Sequence, residues 1–126
     1  MGLVLFSVDL YGQACPYIAI RIGETTVDTI RQHCGEPNSS ATYANSKRYI
    51  YDNFGVTTPL RSNVVTELRI HDPAYQDENG VRPGMSETEF RAQFPQFEYA
   101  RTTAVDPASG NSYQFRNRRV SIITVK

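Results

Sequence analysis

The feature that most limits what this chain can become is a short pattern of turn, cap, apolar stripe and stop, met twice. Its first copy runs through Ile20–Pro37. Gly23 permits a tight turn, and Thr25 is positioned as an N-cap with Asp28 three residues on. Val27, Ile30 and Cys34 then fall at i, i+3 and i+7, which predicts one buried stripe on a helix of about two and a half turns. Gly35 and Pro37 stop it. A helix this short is marginal in isolation, so its stripe must pack on something broader, which points to a sheet.

The second copy begins after a polar, proline-containing connection over Asp72–Gly80. Gly84, Ser86, Phe90, Phe94 and Pro95 repeat the order of turn, cap, stripe and stop, with Ser86 and Glu89 spaced as a capping box. Ile30 matches Phe90 and Cys34 matches Phe94 at an offset of 60, whereas Gly23 with Gly84 and Thr25 with Ser86 require 61. The likeness extends downstream, where Tyr49–Asn53 is echoed by Tyr113–Asn117 and Val64–Ile70 by Val120–Val125. These echoes predict an internal duplication with a strand pair after each helix.

Around the two helices the period-2 pattern predicts strands over residues 3–10, 17–22, 47–52, 64–71, 99–103, 113–117 and 120–125. In the clearest of them Val64, Thr66, Leu68 and Ile70 are expected inward. Asn38–Ser40 reads as a loop, Asn53–Gly55 as a turn, and Thr57–Pro59 as irregular. Asp106–Asn111 is a strong turn signal and Asn117–Arg118 closes the last hairpin. At 126 residues this is most simply one domain, built of an N-terminal strand and two repeats, about 17–71 and 81–126. Eight Tyr, six Phe, seven Pro and eight Gly suit a sheet with many turns better than a helical bundle. The fold class expected is α+β, with both short helices on one face of a single antiparallel sheet.

Charge excludes some partners. Thirteen basic side chains balance thirteen acidic ones and the two signs are mixed along the chain, which disfavours nucleic acid and anionic membrane surfaces. The local excess at Arg116, Arg118, Arg119 and Lys126 reads as the solvated tip and end of a hairpin. No apolar run reaches the ~20 residues of a membrane span. Leu3–Val8 followed by Gly12–Cys15 lacks the basic start and the apolar length of an export signal, so residues 3–10 read as an N-terminal strand, with the remnant of an export signal kept as the alternative.

Chemistry finds little to work with. His33–Cys34 and His71–Asp72 are the neighbouring imidazole, thiol and carboxylate groups, but adjacent helical residues point about 100° apart, so His33 does not serve Cys34. Two His and two Cys lack zinc spacing, and Asp72, Asp77, Glu78 and Asn79 do not match a calcium loop. Glu87 and Glu89 are explained by a helix N-terminus. No metal and no cofactor is expected. The alternative kept beside this is a small enzyme using Cys34 or His71.

Gly, hydroxyl cap, short helix, Gly-x-Pro or Pro stop and small meander, in tandem, resemble the β-lactamase inhibitor protein fold. They also resemble the small outer-membrane lipoprotein of the bacterial β-barrel assembly machinery. Gly23–Thr25 through Cys34–Pro37, with Cys15 upstream, is similar to bacterial exported domains of this group. The resemblance implies a non-enzymatic protein-binding module of the cell envelope, periplasmic or secreted. With it comes a disulfide between Cys15 and Cys34, the two cysteines of the chain; two free thiols would instead indicate the cytoplasm. Tyr49, Tyr51, Tyr113 and Phe115 occupy equivalent alternating positions in the two repeats. They are the candidate protein-binding residues if their sheet face is open, and core padding if it is covered.

Overall fold

The computed structural model describes residues 19–126. The expected strand at 3–10, Cys15 and the start of the expected strand at 17–22 lie outside the described residues. The chain forms two units, Met1–Leu68 and Arg69–Lys126. Each carries a short helix followed by antiparallel strands, which makes the protein α+β. In the first, α1 (Val27–Cys34) precedes β1 (Ser39–Thr42), β2 (Ser46–Ile50) and β3 (Phe54–Pro59), and β4 (Glu67–Ile70) carries the chain across the boundary. In the second, α2 (Glu87–Gln93) precedes β5 (Glu98–Tyr99), β6 (Thr103–Val105), β7 (Ser112–Arg116) and β8 (Arg119–Val125). Strands adjacent in sequence are adjacent in space within each unit, as a meander requires.

The helices start where a hydroxyl can accept from the third residue on, but the first cap is one residue later than the spacing suggested. Thr26, extended at φ −102°, ψ 157°, accepts from the Thr29 N–H through Oγ1 at 3.3 Å. Thr25 instead accepts the Arg21 N–H at 2.9 Å and holds the preceding turn. In α2 Ser86 accepts from Glu89 N–H at 3.0 Å, as the capping box predicts. With Thr26 as the cap, the offset of 60 holds from cap to stripe, and the extra residue falls between Gly23 and the cap.

Both helices are tied into their units through the same set of backbone bonds. Gly23 N–H donates to Val65 C=O, Val65 N–H to Thr25 C=O and Val27 N–H to Asn63 C=O, at 2.8 to 2.9 Å. In the second unit Gly84 N–H donates to Val120 C=O, Val120 N–H to Met85 C=O and Glu87 N–H to Arg118 C=O, at 2.7 to 2.8 Å. Gly23 and Gly84 sit at φ +84° and +102°, a region that a side chain strains, so glycine at each entry has a backbone reason.

Several strand expectations are corrected. Residues 20–22 form a turn approach, because the Arg21 carbonyl accepts from both Glu24 and Thr25 N–H. The expected loop at Asn38–Ser40 gives way to β1, which pairs with β2 in the register Ser40 with Tyr49. Thr57–Pro59 belongs to β3, with Pro59 at its last position, where a missing N–H costs least. The expected strand at 64–71 is regular over Glu67–Ile70 alone. Leu68 and Ile70 are buried as expected, but Val65 is buried and Thr66 exposed, since Val65 is engaged with Gly23 and Thr25. The strand expected at 99–103 is two, β5 and β6, separated by a turn that the Ala100 N–H to Thr103 C=O bond closes at 2.9 Å.

Candidate functional site

The four aromatic candidates are buried. Relative exposure is 5% for Tyr49, 7% for Tyr51, 1% for Tyr113 and 6% for Phe115, so the covered reading of their face holds and the binding-surface reading is corrected. In the first unit Tyr51 stacks on Phe54 with ring centroids 4.8 Å apart, and its hydroxyl donates to the Gly35 carbonyl at the end of α1. In the second, Phe90 of α2 sits among Phe94, Phe97, Tyr99, Tyr113 and Phe115, at centroid distances of 5.0 to 6.3 Å. Strand alternation groups each pair correctly, and the apolar stripe of the neighbouring helix decides which side is dry. The outward set is Ile50, Gln114 and Arg116.

The correspondence between the pairs also changes. Tyr49 lies in the second strand after its helix and Tyr113 in the third, so by element order β3, not β2, matches β7.

A polar cluster that the sequence reading passed over lies in the second unit, where Asp77 and Asp106 are both buried. One Asp77 carboxylate oxygen accepts the N–H groups of Asn79 and Val81 at 2.9 Å, and the other accepts the Tyr113 hydroxyl. Asp106 accepts from Ala108 N–H at 2.9 Å, Ser109 Oγ at 3.0 Å and Asn79 Nδ2 at 3.1 Å. Asn79 also reaches the Tyr113 oxygen at 3.1 Å and thereby joins the two turns. The Asn79 amide, with the backbone N–H of Ala108 next, holds the Asp106 carboxyl below the usual carboxylate range. Burial, reinforced by Asp77, drives the Tyr113 hydroxyl well above the ordinary tyrosine value. Through the hydrogen bonds of Asp77, Asn79, Asp106 and Tyr113 this cluster ties the 77–81 turn to the 106–111 turn and to β7. Asp-x-Asn-Gly at 77–80 and Asp-Pro-x-Ser-Gly-Asn at 106–111 were its signals, both legible as turns.

Cys34 is half-buried and borders a cavity of about 150 Å³ with Ala19, Ile20, Thr25, Thr29, Ile30 and His33. His33 and His71 are exposed, and His71 belongs to the second unit. Among the described residues no group of three or more His, Cys, Asp or Glu side chains is placed to hold a metal ion.

Three large apolar side chains are exposed among the described residues, Tyr43 at 49%, Leu60 at 46% and Ile50 at 38%, and all lie in the first unit. Tyr43 and Leu60 share one end of the meander. The Tyr43 N–H donates to Ser46 C=O at 2.8 Å, Ser46 stands opposite Pro59, and Leu60 follows. Two strand spacings, about 10 Å, therefore separate their backbones. The Arg48 guanidinium lies over the Tyr43 ring, 5.3 Å from its centroid. Tyr43, Ser46, Arg48 and Pro59 share one face by register and Leu60 falls one residue out of that alternation, so the patch is the exposed tyrosine with the arginine stacked on it, which can bury apolar area and still offer donors. Sequence pattern could not single it out, because Tyr43 and Leu60 stand at strand ends outside any alternation.

Among the described residues no helix is long and apolar enough to cross a membrane. Comparison with protein-family models, with curated proteins and with solved structures finds no match.

Proposed function

We propose that this chain is a non-enzymatic protein-binding module of the bacterial cell envelope, of inhibitor or assembly-scaffold type. The observation that carries the reading is the exposed Tyr43 ring with the half-buried Arg48 guanidinium over it, at the end of the meander where Leu60 is also exposed. Aromatic and arginine side chains dominate binding hot spots because they offer large, stiff contact area with polar tips. The reading also draws on the internal duplication. The repeated backbone ties at Gly23 and Gly84, with the common offset of 60 from cap to stripe, support two related units that share one antiparallel sheet with both helices on one face. That arrangement resembles the β-lactamase inhibitor protein and the assembly lipoprotein, and carries with it the Cys15–Cys34 disulfide and a periplasmic or secreted location. Asp77 and Asp106 are engaged in holding turns together, which fits a binding scaffold.

The test is affinity capture from a bacterial envelope fraction, with the native chain and a Tyr43→Ser, Leu60→Ser double variant as baits. Both side chains are exposed, so the variant keeps its melting temperature within about 2 °C. The native chain captures a discrete protein, and the variant retains it about tenfold less well or worse. Equal capture by both baits contradicts the assignment of the patch.

A further inference from the structure

The turn between β7 and β8 departs twice from what stabilises a hairpin, and arginine is responsible both times. Its central residues, Asn117 and Arg118, are both left-handed, at φ 54° and 63°. A two-residue turn of this kind favours Asn-Gly, since glycine alone meets no penalty from a Cβ at the second position. Here that position holds Arg118. Arg116 stands directly opposite Arg119 across the two strands, and like charges so placed repel.

Little within the unit offsets these costs. Arg119 donates to the Gly84 carbonyl at 2.8 Å, which accounts for one guanidinium. Arg116 and Arg118 are exposed, and among the described residues neither forms an ion pair. The neighbouring Glu87, whose N–H donates to Arg118 C=O, has its carboxylate held by Arg91 at 2.8 Å. Local rules broken without internal compensation are characteristic of functional positions.

We propose that this turn is a docking point for an acidic segment of a partner protein, with Arg116 and Arg118 gripping its Asp or Glu carboxylates. The guanidinium fork matches a carboxylate in two parallel hydrogen bonds, which a flexible ammonium does not. A short acidic peptide is favoured over a membrane or a nucleic acid. Glu87 and Glu89, in the first turn of α2 beside this hairpin, repel a uniformly anionic surface, and the chain as a whole is neutral. The proposal stands on the second unit alone and survives or fails independently of the Tyr43 patch.

The test joins stability to binding in one variant. Arg118→Gly relieves the left-handed strain and raises the melting temperature by about 2–4 °C. The same variant binds an oligoglutamate peptide about tenfold more weakly at low salt, as does Arg116→Gln, whereas Arg101→Gln, exposed elsewhere in the unit, binds unchanged. The proposal is overturned if Arg118→Gly is stabilised with binding intact, if it is destabilised, or if the native chain fails to bind the peptide. Equal or tighter binding to phosphatidylglycerol vesicles or single-stranded RNA overturns it as well, by making the turn a general polyanion site.

Discussion

Tyr113 shows how one side chain can be apolar and polar at once. Its ring lies 5.0 Å from Phe90 in the core, while its hydroxyl joins Asp77 to Asn79. Tyr113→Phe keeps the ring and leaves a buried Asp77 oxygen without its donor, so the variant loses about 1–3 kcal/mol at pH 7. Burial, and then the bond to Asp77, raises the folded-state pKa above the ordinary value near 10. The hydroxyl's contribution is therefore full below that value and is lost as pH rises above it, because the unfolded chain ionises first. Urea unfolding at pH 7 and at about pH 10.5 checks this: the stability gap between native chain and variant narrows at the higher pH. A gap independent of pH refutes the role assigned to the hydroxyl. At this scale the sequence made clear which aromatics keep company, but not which side of the strand is dry. That depends on where a helix distant in sequence comes to rest.

Between residue and fold stand the elements, and here local chemistry was legible wherever it acts over a few residues. The two short helices were visible through hydroxyl caps, stripe and stop, with the first cap misplaced by one residue because Thr25 and Thr26 offer the same oxygen. Thr26→Ala removes the acceptor of the Thr29 N–H and is expected to cost about 1 kcal/mol, and Ser86→Ala a similar amount. Thermal denaturation of both variants measures this, and a Thr26→Ala protein as stable as the native one would return the cap to Thr25. β1, the end of β3 and the split of β5 from β6 were not legible. Ser39–Thr42 has no apolar alternation of its own, and Thr57–Pro59 reads as a breaker. Both become strands because partners drawn from elsewhere in the chain satisfy their backbones, an effect that outweighs local propensity. The aromatic patch was missed for a related reason: Tyr43 and Arg48 come together only after β1 and β2 have paired.

For the whole molecule, the antiparallel α+β class follows from a sequence with two short stripes and many turns, while the proposed duplication and disulfide reach further. The proposed bridge joins Cys34 to Cys15, which lies outside the described residues. Closing a loop between positions 19 apart contributes about 3 kcal/mol in the chain-entropy model. Thiol titration of denatured, unreduced protein from an oxidising compartment should find no free thiol, and reduction should lower the melting temperature. Two free thiols would remove the bridge and, with it, the main support for an exported protein. The central claim, that the chain works by presenting Tyr43 and its neighbours to another protein, is tested most directly by photo-crosslinking. A photoreactive residue is placed at position 43 and, as a control, at exposed Gln96, in chain incubated with an envelope fraction. The account predicts one discrete adduct from position 43 and none from position 96; no adduct from position 43, or the same adducts from both, would contradict it.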